Sequence, residues 1–227
     1  MIDAKRLYGK SIGAKDGHIG ALHDLYFDAQ WIVRYLVVDT RKWLPGRKVL
    51  IAPEAMAHPW HNEADVPVNL TKDQIRESPD IDTAQPISRK AEQHLHHHYG
   101  WIPYWADPAI PAPAPPPSKP AYSLEELRQA SREAEAESEQ HLRSAKEVMG
   151  YHVRATDGDI GHIGDFVVGD SCNCILFLTI DLEEWLEGRQ VLLPPTSVLE
   201  IDWATSRVLV NVTCQAIRAS QAYKPAA

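Results

Sequence analysis

The chain has 227 residues, 44% of them hydrophobic, and a formal net charge of −8. That hydrophobic share is ordinary for a globular protein and excludes disorder throughout. Residues 1–80 carry 11 basic and 11 acidic side chains and residues 148–227 carry 5 and 10, so neither end has the basic excess that binding nucleic acid or anionic lipid requires.

The N-terminal residues, Met1 to Arg6, lack the apolar segment of a secretory signal. No stretch of the chain approaches the roughly 18 consecutive apolar residues that cross a bilayer. We therefore expect a cytoplasmic protein with no transmembrane segment and no nucleic acid partner.

The sequence pattern of residues 1–80 predicts a small domain of short strands. Asp16 and Gly17 form a turn before the first long strand, and the Leu44–Arg47 tetrapeptide suits a type II turn. Thr71 and Gln74 predict a capping box that starts a brief helix. The predicted strands are 19–27, 31–39, 48–52 and 66–70.

Residues 81–147 are predicted to be a linker, and its first part is rich in histidine and aromatic residues. His94 and His98 would share one face of a helix, which makes them weak candidates for a metal site. A solvated or packed histidine run is the favoured interpretation, and we expect no cofactor. Trp101 and Trp105 either pack against a domain or form a recognition surface, and packing is favoured.

The second part of the linker combines a spacer with a predicted helix. Eight prolines between 103 and 120 favour an extended, semi-rigid segment. Ser123 and Glu126 form a capping box, so a helix is predicted over 123–147. Its apolar stripe is thin, which is typical of a solvated spacer helix.

The remainder, residues 148–222, is a second copy of the N-terminal domain. Shifting the sequence by 141 and then, after one inserted residue, by 142 gives nineteen identities, which include Trp43 with Trp185 and Arg47 with Arg189. A repeat of this strength predicts two related units. A unit of about 70 residues is marginal alone, so we expect the copies to dock on each other or the chain to dimerise.

The repeated Trp and Arg residues are candidates for a partner-binding surface. Each pair, Trp43 with Arg47 and Trp185 with Arg189, flanks the same turn and could stack as a cation–π pair. A role in stabilising the hairpin is the favoured alternative.

Repeated carboxylates and three cysteines complete the candidates. Asp24 with Asp165, and Asp39 with Asp181, could act as acid–base groups, but aspartates near turns more often accept backbone hydrogen bonds. Cys172, Cys174 and Cys214 are expected to be buried or idle thiols in a reducing compartment.

The repeated motifs resemble the PRC-barrel family. They are D-G-x-I-G, the V-V-D strand, W-L-x-G-R and the V-L-[IL]-x-P strand, and the second copy departs from them at 171–174 and 177–181. The family includes the cytoplasmic domain of the photosynthetic reaction-centre H subunit, and a similar barrel forms half of a ribosome maturation factor. The resemblance implies a mainly β protein with two small barrels.

The resemblance implies an assembly module, and no nucleotide-binding, metalloprotease or nucleophile-elbow motif occurs in the chain. We therefore expect a non-enzymatic docking protein that binds a protein partner, similar to the H-subunit domain and linked to photosynthetic or electron-transfer complexes. The alternatives are a ribosome or RNA-processing accessory protein and a sensor of a small ligand, metal or stress.

Overall fold

Two β-sheets, one from each copy of the repeat, form the fold. The computed structural model describes residues 1–40, 43–44, 47–58, 65–80, 87–106, 142–170, 173–182 and 189–224. The predicted mainly β class is confirmed. Within the described ranges neither sheet closes on itself, so closed barrels stay a prediction.

The first sheet contains five strands from the N-terminal copy and one from the end of the linker. These are β2 (Ser11–Ala14), β3 (Gly17–Phe27), β4 (Val33–Asp39), β5 (Lys48–Ile51), β6 (Asp65–Pro67) and β7 (Arg143–Ser144). The order is β5-β4-β3-β2-β6, and β7 pairs with β3. All pairs are antiparallel except that between β2 and β6.

The second sheet repeats this arrangement. Its members are β1 (Ile2–Asp3), β8 (His152–Ala155), β9 (Gly158–Val168), β10 (Ile175–Leu182), β11 (Gln190–Leu193), β12 (Val198–Asp202), β13 (Arg207–Val210) and β14 (Ala222–Tyr223). The order is β12-β13-β8-β9-β10-β11-β14, and β1 pairs with β9.

The long strands β3 and β9 each need a glycine where the neighbouring backbone approaches. A Cβ at Gly20 would lie 2.1 Å from the Asp39 carbonyl oxygen, and one at Gly161 would lie 2.1 Å from that of Asp181. No side chain fits this distance. The Ile-Gly pair is therefore repeated because the close strand contact is repeated.

Short helices lie between the strands, and the one predicted cap that falls in the described ranges is present. They are α1 (Ala4–Leu7), α2 (Lys72–Arg76), α3 (Arg89–Tyr99), α4 (Ala145–Val148) and α5 (Cys214–Ala219). Thr71 and Gln74 form the predicted capping box. Three 3₁₀ turns occur at Pro53–Ala55, Tyr104–Ala106 and Pro195–Ser197. In the described ranges no helix is both long and apolar enough to cross a membrane.

The two repeats exchange their first elements. β1 pairs with β9 in the second sheet, and α1 packs beside it. In the equivalent way, β7 pairs with β3 in the first sheet, and α4 packs beside it. Each repeat therefore completes the other.

The linker helix predicted over 123–147 lies mostly outside the described residues; at its described end residues 145–147 are helical, as predicted, but residues 143 and 144 are not. Arg143 and Ser144 are extended in β7, and α4 begins at Ala145. The reason is tertiary, because pairing with β3 supplies hydrogen bonds that a continued helix would lose. The second structural repeat therefore begins at Arg143, ahead of the predicted boundary at 148.

One hydrophobic core extends across both repeats. Phe27 and Phe166, one from each copy, have ring centroids 5.6 Å apart within it. A smaller cluster on the outer face of the first sheet contains Tyr35, Leu50 and Leu95 of α3. Because the main core is shared, the two repeats form one packed body.

Candidate functional site at the junction of the repeats

Two buried carboxylates hold the exchanged segments. Asp24 accepts hydrogen bonds from the Ser144 hydroxyl at 2.6 Å and from the Lys146 N–H at 3.0 Å. Asp165 accepts one from the Lys5 N–H at 3.2 Å. Burial raises the pKa of both carboxyls, that of Asp165 to about 6. The prediction that these aspartates accept backbone hydrogen bonds is confirmed. The donors Ser144, Lys146 and Lys5 each belong to the repeat opposite the aspartate that they bind.

A cavity of about 460 Å³ opens beside this exchange, and we name it the junction pocket. The turn after β3 and strand β7 form one side, and the β12 region forms the other. Its lining residues are Phe27, Asp28, Ala29, Trp31, Arg143, Val198, Leu199, Glu200, Ile201 and Trp203. Both copies therefore contribute to one site.

Trp31 lines the pocket and has a strained backbone conformation. Its φ is +61°, a left-handed conformation that is unusual for a bulky residue. The Trp31 carbonyl accepts a hydrogen bond from the Ile175 N–H at 2.7 Å, and the indole stacks on Phe27 with centroids 5.2 Å apart. Contacts with the second repeat and with Phe27 thus hold a conformation that tryptophan alone would avoid.

Asp28 organises the turn that carries Trp31. Its carboxylate accepts hydrogen bonds from the backbone N–H groups of Gln30 and Ile32, at 2.9 and 3.0 Å, and forms an ion pair with Arg34 at 2.6 Å. These bonds satisfy the carboxylate inside the protein. Asp28 therefore shapes the pocket and is not a free charge within it.

Arg143 of β7 and Trp203 of the β12 side both line the pocket and contact each other. The Arg143 guanidinium lies 4.7 Å from the centroid of the Trp203 ring, a cation–π contact. Burial lowers the pKa of Arg143, and the nearby Glu147 carboxylate opposes that shift. The Trp203 indole N–H is buried and has no hydrogen-bond partner among the described residues. Leu199 is 67% exposed at the rim.

Sequence reasoning did not select Trp31, Arg143, Leu199 or Trp203, although a signal was present. At the repeat offsets these positions correspond to Asn173, Ile2, Ala57 and His61. The pocket is therefore built from positions at which the two copies differ. Because only nineteen of about 67 aligned positions are identical, a comparison of the copies for differences would have included these residues without singling them out.

Trp43 and Arg47 make contacts with different partners in the structure. Cations over the Trp43 ring come from Lys72 and Arg76, at 5.7 and 5.5 Å. Arg47 donates to the carbonyl groups of Arg76 and Ser78 at 3.0 and 2.8 Å. The possible stacking of Arg47 on Trp43 is therefore not among the contacts of the described residues, because the guanidinium binds carbonyl groups at the end of α2 and just after it.

In the second pair, Arg189 makes the same kind of contact as Arg47. Arg189 donates to the carbonyls of Arg218 and Ser220, at 2.9 and 3.4 Å. Trp185 lies outside the described residues. Both arginines thus have an equivalent structural contact in their own repeat, and their role as a partner surface stays a prediction.

Trp101 and Trp105 pack against α3. Trp101 stacks on Tyr99 with centroids 4.3 Å apart, and Trp105 lies beside His96 at 4.9 Å and under the Arg89 guanidinium at 4.2 Å. Packing, the favoured interpretation of these aromatic residues, is therefore what the structure shows.

The histidine run contains a buried residue that the sequence did not single out. His96 Nε2 lies 2.8 Å from the Tyr35 hydroxyl, which donates to the fully buried Glu92 carboxylate at 3.0 Å. Burial lowers the pKa of His96. The metal candidates behave differently, since His94 is exposed and His98 Nε2 lies 2.7 Å from the Gln74 carbonyl. In the described part of the chain no three potential metal ligands form a group.

The cysteines differ from one another. Cys174 is disulfide-bonded, whereas Cys214 is a free, buried thiol. The prediction of idle thiols is therefore wrong for Cys174, and Cys172 lies outside the described residues.

The chain was compared with protein-family models and with curated proteins. No family model matches the chain, and no curated protein matches it. The PRC-barrel resemblance therefore stays a prediction based on the repeated motifs.

Proposed function

We propose that this chain is a cytoplasmic, non-enzymatic docking protein with two PRC-type barrels, which binds a protein partner at the junction pocket. The proposal rests mainly on which parts of the chain form the pocket. Residues from both copies line it, and its principal side chains occupy positions at which the copies differ. Shared residues such as Gly20 and Gly161 serve the fold, so the differing ones are free to serve recognition.

The chemistry of the pocket supports binding. Stacked aromatic rings and an exposed leucine provide apolar surface, and the Arg143 and Glu200 side chains of the lining provide the few polar groups that protein interfaces add to it. By the motif resemblance to the reaction-centre H subunit, we extend the proposal to a partner in a photosynthetic or electron-transfer complex.

Affinity isolation from cells that naturally make the protein tests this function. We compare the tagged full chain with a Leu199→Asp variant and with an Ile102→Asp control, because Ile102 is also an exposed apolar residue, at 86% exposure. We expect the wild type and the control to retain the same partner in a fixed ratio. Leu199→Asp should reduce its recovery by about tenfold, as loss of an interface anchor does.

The outcomes separate two questions. If no protein is enriched over untagged cells, the docking function is wrong. A partner retained equally by all three forms places the interface away from the junction pocket. Absence of photosynthetic or electron-transfer subunits among the retained proteins contradicts the extension to those complexes.

A further inference from the structure

Strand β12 is the terminal strand of the second sheet, and its edge borders the junction pocket. Residues 198–201, four in succession, line the cavity. Successive side chains of a strand point to opposite faces, so a cavity that touches all four lies along the edge of the strand. Among the described strands, β13 is the one neighbour of β12. The pocket therefore offers a sheet edge together with an apolar wall.

The protein already binds short segments by adding them to sheets. β1 adds to β9, β7 to β3 and β14 to β11, each through a strand of two residues. Such contacts obtain their affinity from main-chain hydrogen bonds and their specificity from alternate side chains. The same mode suits an extended segment beside β12.

The charge on and around β12 indicates which side chains the added segment should have. Glu200 is exposed in the middle of β12, and the chain has a net charge of −8. A second copy paired antiparallel through its own β12, centred on Glu200, would place like charges opposite each other, which is unfavourable. A basic side chain opposite Glu200 is favourable.

We propose that β12 binds an extended peptide segment of the partner by strand addition, with apolar side chains toward Leu199 and the junction pocket and basic side chains opposite Glu200. Arg143 in the pocket wall favours apolar over basic groups inside the cavity. This inference rests on the proposed docking function and names the chemistry of its partner.

Titration of the full-length protein with a defined peptide tests the inference. The probe is an end-capped eight-residue peptide of alternating lysine and valine. One control peptide has a central proline, which removes a main-chain donor, and another has glutamate in place of lysine. We expect the probe to shift the Trp31 and Trp203 indole resonances in NMR spectra and to slow hydrogen exchange of the amides of residues 199–201. Both control peptides should bind at least about fivefold more weakly.

A charge reversal with a matched control separates pairing from general attraction. Glu200→Lys should weaken the lysine peptide about fivefold and strengthen the glutamate peptide, because cross-strand charge pairs act locally. Glu77→Lys changes the net charge equally at an exposed site in the first repeat and should change neither affinity by more than about twofold.

Three results would overturn strand addition: no binding of the lysine peptide, binding without protection of residues 199–201, or equal effects of the two charge reversals. The docking function is tested separately by capture of the natural partner. If the partner is captured equally by wild type and Glu200→Lys, strand addition at β12 is wrong while docking stands.

Discussion

At the residue scale, the buried carboxyl of Asp165 links stability to pH. Its pKa is raised from 3.8 to about 6, chiefly by burial. The folded protein therefore binds this proton more tightly than the unfolded chain does. The contribution of Asp165 to the free energy of unfolding is greatest below about pH 4 and falls as the pH rises to about 6.

Asp165→Asn removes this titration while it keeps an oxygen that can accept from the Lys5 N–H. We expect the difference in unfolding free energy between wild type and variant to change between about pH 4 and 6 and to be constant above that range. Denaturant unfolding at a series of pH values measures it. A difference that does not vary with pH would contradict a raised pKa at Asp165.

His96 should act in the opposite direction. Burial lowers its pKa below 6.5, so the unfolded chain binds the proton first and stability falls as the pH drops below about 6.5. His96→Gln keeps a polar group next to Tyr35 but does not titrate. We therefore expect this variant to lose less stability than wild type between pH 7 and pH 5 in thermal unfolding. An equal loss in both proteins would assign the acid sensitivity elsewhere.

At the element scale, the close contacts of β3 with β4 and of β9 with β10 limit what the strands tolerate. Gly20→Ala and Gly161→Ala place a methyl group 2.1 Å from a carbonyl oxygen. We expect each to lower the free energy of unfolding by about 3 kcal/mol or more, since backbone must move. Gly13→Ala is the matched control because nothing lies within 4 Å of its added Cβ. A control as unstable as the other two would refute the steric explanation.

Local elements were predictable, and long-range ones were not. The capping box at Thr71 and the strand β4 depend on residues close in sequence, and both were predicted. The extended conformation of Arg143 depends on β3, more than a hundred residues earlier. The junction pocket was missed for the same reason, because Trp31 and Trp203 come from different repeats and line one cavity only in the folded protein. In the sequence, the pocket residues are recognisable only as positions at which the two copies differ.

At the scale of the whole molecule, the exchange makes the halves hold together without the linker. Cleavage at a protease site placed between residues 107 and 141 of the folded protein should leave both fragments in one complex, because β1 and β7 each belong to the opposite sheet. Size-exclusion chromatography with mass measurement would show one species that separates only in denaturant. Separation of the fragments in native buffer would contradict a shared core.

The exchange also has a consequence for synthesis. Lys5 and its partner Asp165 are 160 residues apart. At roughly 5–20 residues per second, a ribosome needs about 8–32 s to make the chain between them. During that time Ala4 and Leu7, which are buried in the finished protein, lack strand β9, against which α1 packs. The exchange therefore cannot be completed until β7, α4 and β9 have left the ribosome.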